Sequence, residues 1–219
     1  MDIIGLDLDS VIGNTEIVLD KYLKEKYDFE TDWSKVTNYA VETIPGISQE
    51  IANETLHDIY NGDLLFNILP YEYVNHALNK LHNEGFRIVI ITSRPLNLQV
   101  KTMEWLEKYN LTYDLLYHVK SDDKYRIIST MGIKSFVEDR PDIIDSILYN
   151  CGVLEYGLYI INHPWNSNYN NEYVIKVNYL YEAVDKIVEY RKWRNFFVHR
   201  CQGNIEKFIK EYYDGKDSM

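Results

Sequence analysis

A single stretch decides the fold: Ile3-Ile4-Gly5-Leu6-Asp7-Leu8-Asp9-Ser10-Val11. Its apolar beginning predicts a short buried strand, and this strand ends in two carboxylates two residues apart. Because side chains alternate faces along a strand, Asp7 and Asp9 can point the same way at its carboxyl end, where open α/β sheets bind their ligands. Two neighbouring carboxylates repel each other, so the pair calls for a cation or for one protonated carboxyl group. An Asp-x-Asp sequence alone is better explained as the start of a solvated loop than as a ligand site. The residues downstream favour the ligand site.

The composition is that of a globular protein. Of the 219 residues, 46% are hydrophobic and 26% are charged, which is enough for one large domain or for a core with an insert. The net charge of −11 argues against non-specific binding to duplex nucleic acid or to a membrane surface, because both depend on basic surfaces. An anionic substrate therefore needs local cations at its site.

The cysteines and the N-terminus indicate the compartment. Cys151 and Cys201 have the spacing of neither a metal site nor a disulfide framework, which fits a reducing cytosol. The first residues lack a basic segment and carry acids inside their apolar run, so they predict neither a signal peptide nor a membrane span. We expect a cytoplasmic protein, and the sequence leaves open whether it forms a homodimer.

Residues 14–72 predict a helical insert. Apolar side chains recur at helical spacing on both sides of an aromatic, irregular segment that contains Phe29 and Trp33. No part of this region has the pattern of a strand. We interpret it as a cap set over the end of the first strand, with residues 1–13 and 73–219 forming the core and the C-terminal helices.

From position 73 onward, predicted strands and helices alternate. The helices have apolar residues at helical spacing, and Gly85 stands where a C-terminal glycine cap belongs. Such alternation is typical of right-handed βαβ units, so the predicted fold class is α/β, with a Rossmann-like parallel sheet flanked by helices. After the first strand, the predicted strands are 86–91, 113–119, 135–137, 157–162 and 173–177.

The C-terminal part of the chain predicts helices. An apolar stripe runs from Leu180 to Val188, Gly203 interrupts the helix, and Ile205 begins its continuation. The one basic stretch of the chain runs from Arg191 to Arg200. We interpret it as the solvated outer face of a helix packed on the sheet, rather than as a polyanion site.

Polar groups follow four of the predicted strands. Asp7 and Asp9 follow the first strand and Thr92-Ser93-Arg94 the second; Lys124 begins the helix after the third, and Glu138-Asp139-Arg140 follows the fourth. Each group alone has an ordinary explanation, such as a helix cap or a surface lysine. Because all four groups lie at the carboxyl ends of consecutive strands in one α/β chain, together they indicate a ligand site.

In these four motifs the chain resembles the haloacid dehalogenase superfamily of phosphatases. The resemblance spans residues 1–165, and a helical cap between the first two motifs is a feature of one branch of that superfamily. Within that branch the chain is most similar to the 5'(3')-deoxyribonucleotidases and related nucleotidases. Two departures are Glu138, where Asp is frequent, and Ser10, where Gly is common. The residues that carry the resemblance are Asp7-Leu8-Asp9-Ser10-Val11, Thr92-Ser93, Asp123-Lys124, Glu138-Asp139-Arg140-Pro141-Asp142 and His163-Pro164-Trp165-Asn166.

The resemblance implies a catalytic role for the first motif and a metal. Asp7 would attack phosphorus and form an aspartyl-phosphate, and Asp9 would act as general acid and then as general base. The implied cofactor is Mg²⁺, because a cation between a carboxylate and a phosphate dianion reverses the sign of their interaction. Its ligands would be the Asp7 carboxylate, the Asp9 carbonyl oxygen and Asp139, with Glu138 either near the metal through water or orienting Lys124.

Further residues are candidates for binding the substrate. Arg94 and Arg140 are candidate substrate contacts, with salt bridges as the equal alternative. Phe29 and Trp33 are candidates for stacking on a nucleobase, against the more ordinary role of packing inside the cap. The implied phosphate-binding residues are Thr92, Ser93 and Lys124.

The implied function is a Mg²⁺-dependent phosphomonoester hydrolase acting on nucleoside monophosphates. Asp9 separates a phosphatase from a dehalogenase, because halide departure needs no proton. A phosphatase for a sugar phosphate or phosphoglycolate, or a phosphomutase, would share every core residue. Only the residues of the cap could therefore distinguish these enzymes from a nucleotidase. The negative net charge disfavours a 3'-phosphatase acting on nucleic-acid ends. The filled catalytic positions disfavour a phosphate-binding domain without enzymatic activity.

Overall fold

The computed structural model describes residues 1–62, 64–200 and 204. The interruption predicted at Gly203, the helix predicted to resume at Ile205, and Cys201 lie outside the described residues. The strands are β1 (Ile3–Leu6), β2 (Gly13–Asn14), β3 (Leu69–Pro70), β4 (Arg87–Thr92), β5 (Leu115–His118), β6 (Ser135–Glu138), β7 (Leu158–Ile161) and β8 (Val174–Val177). The α-helices are α1 (Thr15–Tyr27), α2 (Gln49–Asn61), α3 (Val74–Asn83), α4 (Gln99–Lys108), α5 (Lys124–Met131), α6 (Pro141–Cys151) and α7 (Leu180–Asn195).

Six of the strands form one parallel sheet in the order β5-β4-β1-β6-β7-β8. The apolar strand β1 lies in the middle, as expected of a strand whose two faces are both covered by helices. Leu6 at its end pairs with Ile90 of β4 and with Val137 of β6, so the three strands end close together. The predicted α/β fold is confirmed, and each predicted strand of the sheet agrees with the observed one to within two residues at either end.

The core is distributed over both faces of the sheet. Ile88 and Ile90 of β4 pack into one apolar cluster with α3, α4 and α7, whereas Val89 and Ile91 pack into a second cluster with α5 and α6. This division follows from the alternation of side chains along a strand. All four side chains are fully buried, and each such burial stabilises the fold by roughly 1.5–3 kcal/mol relative to an exposed side chain.

The helices α1 and α2 share an apolar cluster of their own. Asn14 caps α1 by accepting the N–H of Ile17 at 3.3 Å, and Ser48 caps α2 by accepting the N–H of Ile51 at 3.2 Å. Leu65, which follows α2, belongs instead to the sheet cluster that contains Ile88 and Ile90. The division into a cap of residues 14–72 and a core stays a prediction. The buried residues of the α1–α2 cluster are Leu23, Val36, Val41, Ile44 and Ala52.

A short antiparallel ribbon joins the two ends of this helical segment. In it, Gly13 of β2 lies opposite Pro70 of β3, and Asn14 lies opposite Leu69. A Cβ atom at Gly13 would come within 2.9 Å of Ile68 Cγ2, so a larger residue there would force the Ile68 side chain to shift. We expected no strand in this region, and two residues are too few for any periodicity to show.

The C-terminal helix α7 packs against α3 and carries the basic stretch as far as residue 195. Arg191 donates to the carbonyl oxygen of Glu84, and Lys192 Nζ donates to the Glu84 carboxylate at 2.7 Å. Arg194 Nε lies 2.6 Å from Glu155 Oε1. These cations therefore pair with carboxylates of neighbouring elements. Within the described residues, no helix combines the length and the apolar character needed to cross a membrane.

Candidate active site

Four strand ends bring the predicted motif residues to one edge of the sheet. Asp7 follows β1, and its N–H donates to the carbonyl oxygen of Val137 in β6 at 2.9 Å. Thr92 ends β4, Glu138 ends β6, and Lys124 is the first residue of α5. Because neighbouring parallel strands end at the same edge, residues far apart in sequence meet there.

Lys124 joins two carboxylates inside the site. Its Nζ donates to Asp7 Oδ1 at 2.6 Å and to Glu138 Oε2 at 2.8 Å. All three residues are buried. Burial alone would lower the pKa of Lys124, but the negative charges of Asp7 and Glu138 outweigh burial and raise it. The lysine therefore stays positively charged between the two carboxylates.

Asp7, Glu138 and Asp139 form a buried acidic cluster whose ligand atoms lie within 4.8 Å of one another. Burial raises the pKa of Asp7 to about 7, and the negative charge of Glu138 adds to the effect. Burial and Glu138 also raise the pKa of Asp139 well above its usual range. One lysine cannot neutralise three carboxylates, and a divalent cation would favour their ionised forms. The donor set, which is all oxygen, fits such a metal.

Asp9 is held by Arg94 in a two-point salt bridge. Arg94 Nε donates to Asp9 Oδ2 at 2.8 Å, and Arg94 Nη2 donates to Asp9 Oδ1 at 2.6 Å. The arginine side chain is 4% exposed and the aspartate side chain 34% exposed. Arg94 was predicted to contact either the substrate or a carboxylate, and the structure shows the salt bridge. Arg94, Asp9 and Asp7 all line one cavity.

Ser10, which stands where glycine is common in the family that the motifs resemble, lies in the turn after Asp9. Ser10 has a φ of +60°, in the left-handed region that favours glycine. Its N–H donates to the carbonyl oxygen of Gly13 at 2.8 Å, and its hydroxyl lies 2.6 Å from Thr15 Oγ1. These bonds hold a serine where the backbone would suit glycine, and they connect the first motif to the start of α1.

Thr92 and Ser93 lie in the cavity wall beside Lys124. The Thr92 hydroxyl accepts the backbone N–H of Arg94 at 3.2 Å. The Ser93 hydroxyl accepts a hydrogen bond from Ser121 Oγ at 3.0 Å. The structure thus brings all three predicted phosphate-binding residues together.

Arg140 connects the sheet edge to the segment between α1 and α2. Its Nη1 donates to Ser121 Oγ at 2.9 Å, and its Nη2 donates to Asp142 Oδ2 at 2.6 Å. Its guanidinium lies 3.6 Å from the ring centroid of Tyr39, which is a cation–π contact. Arg140 therefore has protein partners on two sides, and it also lines the cavity.

The cavity has a volume of about 390 Å³, which suits a small molecule. The motif residues form part of its wall, together with Trp165 and Tyr39. Most of the exposed area of the wall is apolar. The aliphatic residues of the wall are Val18, Leu19, Val41, Ile59, Leu64, Leu65, Ile68 and Leu98.

The two aromatic candidates have different positions. Trp33 lines the cavity, and its indole Nε1 donates to both carboxylate oxygens of Asp20, at 2.9 and 2.8 Å. Phe29 is half-buried in the α1–α2 cluster and is not among the residues of the cavity wall. A Cβ atom at Gly46 would lie 3.5 Å from its ring. Of the two roles considered for Phe29, its position agrees with packing inside the α1–α2 cluster, and its contact with a substrate stays a prediction.

The segment His163-Pro164-Trp165-Asn166 makes contacts that the sequence did not predict. Trp165 lines the cavity and donates from its indole Nε1 to Asp139 Oδ2 at 3.1 Å. His163 Nε2 lies 2.8 Å from the carbonyl oxygen of Ser10. The only signal in the sequence was the resemblance of this segment to the nucleotidase pattern, which assigns it no role.

Known proteins resemble this chain in sequence and in structure. No protein-family model matches it. A curated relative, "Putative nucleotidase YqfW" of Bacillus subtilis (strain 168), is 25% identical over 185 residues, which are 83% of this chain and 91% of that protein. The crystal structure of a predicted phosphatase from Clostridium acetobutylicum has a TM-score of 0.58 and 18% identity, and the match covers 86% of this chain and 98% of that one. The HAD phosphatase from Thermococcus onnurineus has a TM-score of 0.51 and 17% identity, with coverages of 83% and 95%.

These likenesses agree with the geometry of the site. At identities of 17 and 18%, the two solved structures establish the fold, and they match it over nearly the whole of their own length. On that fold, the residues of all four motifs meet at one edge of the sheet, as the resemblance implied. The chain thus has the fold of these phosphatases, and its four motifs resemble those of the haloacid dehalogenase superfamily.

Proposed function

We propose that the chain is a Mg²⁺-dependent phosphomonoester hydrolase that acts through an aspartyl-phosphate. The observation that carries the proposal is the buried Asp7 carboxylate, held by Lys124 at 2.6 Å beside Glu138 and Asp139 and open to the cavity. Phosphoryl transfer needs a positioned nucleophile, compensation of the phosphoryl charge and a proton for the leaving oxygen. The described residues offer a candidate for each.

Two displacements at phosphorus make up the reaction. First, a carboxylate oxygen of Asp7 bonds to phosphorus while the bond from phosphorus to the leaving oxygen breaks, and Asp9 gives that oxygen a proton. Then Asp9 takes a proton from a water molecule, whose oxygen bonds to phosphorus and releases inorganic phosphate from Asp7. The first displacement is easier than direct hydrolysis because a positioned carboxylate replaces water as the nucleophile, and the second is easier because Asp9 activates the attacking water.

The phosphoryl charge is shared among residues at the strand ends. Lys124 and Thr92 bind the phosphoryl oxygens, and Ser93 supports this wall through its bond to Ser121. Asp7, Asp139 and the carbonyl oxygen of Asp9 would hold Mg²⁺, with Glu138 next to them. When bound, Mg²⁺ supplies positive charge that offsets the repulsion between the Asp7 carboxylate and the phosphate dianion.

The proposed substrate is a nucleoside monophosphate. The aliphatic residues of the cavity wall support this assignment, because they can pack against the apolar faces of a nucleobase. Trp33 in the wall adds an aromatic surface for stacking. The name of the Bacillus subtilis relative, a nucleotidase, is a second support.

A panel of phosphomonoesters tests this function. Nucleoside monophosphates, and deoxy forms most of all, should have a higher kcat/KM than sugar phosphates or phosphoglycolate. EDTA should abolish turnover of every substrate, and Mg²⁺ should restore it. A panel led by sugar phosphates would contradict the substrate assignment alone, whereas full activity in EDTA would contradict the mechanism.

A further inference from the structure

The segment 163–166 is held firmly against the sheet. It follows β7, and Pro164–Asn166 forms a single 3₁₀ turn. Asn166 is 1% exposed, and its Nδ2 donates to the carbonyl oxygens of Asp139 at 2.7 Å and of Ile161 at 2.8 Å. Its Oδ1 accepts the N–H of His163 at 3.0 Å. The turn is therefore fixed at both ends and bonded to the backbone of a residue in the acidic cluster.

The ring of Trp165 is fixed in the same way. It stacks on the imidazole of His163, with 4.4 Å between centroids and 2° between planes. That imidazole lies 2.8 Å from the carbonyl oxygen of Ser10 through Nε2 and 3.0 Å from Glu16 Oε1 through Nδ1. Tyr71 donates to the other oxygen of Glu16 at 2.7 Å. The imidazole on which the indole stacks is therefore itself held by the turn after Asp9 and by α1.

The indole Nε1 points at Asp139. It donates to Asp139 Oδ2 at 3.1 Å, which leaves Oδ1 free of this bond. In the part of the chain that the structure describes, no lysine or arginine forms an ion pair with Asp139. An indole N–H is a neutral donor, so it orients a carboxylate without neutralising the charge that a cation needs.

We propose that Trp165 is a positioning residue for the metal, which holds the Asp139 carboxylate in its orientation within the acidic cluster. This inference rests on the proposed function, because that function assigns a metal to the acidic cluster. Hydrogen-bond partners of metal-binding carboxylates raise metal affinity by fixing the orientation of the ligand, and their loss typically weakens binding about 10- to 100-fold. Trp165 would thus contribute to Mg²⁺ affinity without touching the ion.

Titration calorimetry with Mg²⁺ alone, in the absence of substrate, tests the proposal. Trp165→Phe keeps an aromatic ring to stack on His163 and removes the N–H, so the Kd for Mg²⁺ should rise about 10- to 100-fold. Trp33→Phe is the matched control. It also removes an indole N–H, in a ring 6.2 Å from that of Trp165, but this N–H binds Asp20. The Kd of the control should equal that of the wild type.

A third variant separates orientation from folding. In Trp165→His, the imidazole Nε2 occupies the ring position of the indole Nε1, so a donor is restored on a smaller ring. This variant should bind Mg²⁺ more tightly than Trp165→Phe. Should Trp165→Phe fail to fold, a histidine variant that folds but binds Mg²⁺ no better than Asp139→Asn would overturn the proposal.

The outcomes distinguish this inference from the proposed function. If the wild type binds Mg²⁺ and Trp165→Phe binds it equally well, Trp165 has no positioning role and the proposed function stands. Equal weakening in Trp165→Phe and Trp33→Phe would also overturn the inference, because the effect would then come from packing. If the wild type itself binds no Mg²⁺, the metal of the proposed function and this inference fail together.

Discussion

Arg94 and Asp9 are 85 positions apart in sequence, yet the arginine engages both oxygens of the aspartate, at 2.8 and 2.6 Å. The third nitrogen of the guanidinium, Nη1, is buried and has no hydrogen-bond partner among the residues that the structure describes, and the guanidinium lies 5.5 Å from the ring centroid of Trp105. The planar fork fixes the plane of the carboxylate, which a single ammonium group could not do. In the proposed mechanism, this carboxylate has to face the leaving oxygen.

Arg94→Lys should therefore damage proton transfer more than binding. We expect kcat/KM for a nucleoside monophosphate, whose alkoxide leaves with a proton, to fall by up to about 10²-fold. The kcat/KM for p-nitrophenyl phosphate should fall much less, because its phenolate leaves without a proton. Arg87→Lys, at the amino end of β4, the strand that precedes Arg94, serves as the control and should leave both rates unchanged. Equal losses on both substrates would mean that Arg94 binds the phosphoryl group or supports the fold.

Substitution of the first motif should remove turnover while keeping the fold. Asp7→Asn conserves volume but removes the nucleophile and a metal ligand, so activity should vanish with an unchanged circular dichroism spectrum. Asp9→Asn should lower kcat by roughly 10²- to 10⁴-fold through the loss of proton transfer. Asp122→Asn, an exposed carboxylate outside the cavity wall, is the control and should remain fully active. Turnover by the Asp7 variant would exclude the aspartyl-phosphate.

Stability should depend on pH and on metal through Asp7. Burial and then the charge of Glu138 raise the pKa of Asp7 from 3.8 to about 7. A carboxyl group whose pKa is raised on folding stabilises the folded state at low pH, and this contribution is lost as the pH rises from about 4 to about 7. In EDTA, the wild type should therefore lose thermal stability over this window relative to Asp7→Asn. Mg²⁺ should raise Tm more at about pH 8 than at about pH 5.5, and an equal rise at both would contradict the assignment of Asp7 as a ligand.

Trp33 and Phe29 offer a paired test of the substrate. Trp33→Ala should raise KM for nucleotides by an amount consistent with roughly 1–3 kcal/mol of stacking and leave p-nitrophenyl phosphate nearly unaffected. Phe29→Ala, in the α1–α2 cluster, should lower Tm without changing the ratio of the two KM values. If Trp33→Ala impairs all substrates alike, its bond to Asp20 is structural and the ring does not contact the base.

Duplex DNA should not bind at physiological salt. The net charge is −11, and three cations of the basic stretch, Arg191, Lys192 and Arg194, already have carboxylate or carbonyl partners. Because binding to the DNA backbone relies on unpaired cations, fluorescence anisotropy with a labelled duplex should show no change in the micromolar range. Sub-micromolar binding that weakens steeply with salt would contradict this.

The sequence predicted the site as far as local patterns determine it. Asp7, Thr92 and Glu138 each follow an apolar run, and the parallel sheet then brings the ends of those runs together. The partners of these residues could not be predicted in the same way. Trp165 reaches Asp139 across 26 positions and two loops, and no local pattern encodes that contact. Residue type alone also could not separate Trp33 from Phe29, because both are aromatic residues in one irregular segment.

The ribbon of β2 and β3 has a consequence for the order of folding. The centre of the sheet forms when β1 pairs with β4, in which Ile3 lies opposite Arg87. That pairing closes a loop of more than eighty residues. Pairing of Gly13 with Pro70 first would bridge most of that loop and leave about thirty flexible residues, which lowers the entropy cost of closure by about 1 kcal/mol. If the ribbon forms first, we expect the helical segment between its two strands to bring β1 and β4 closer together before they pair.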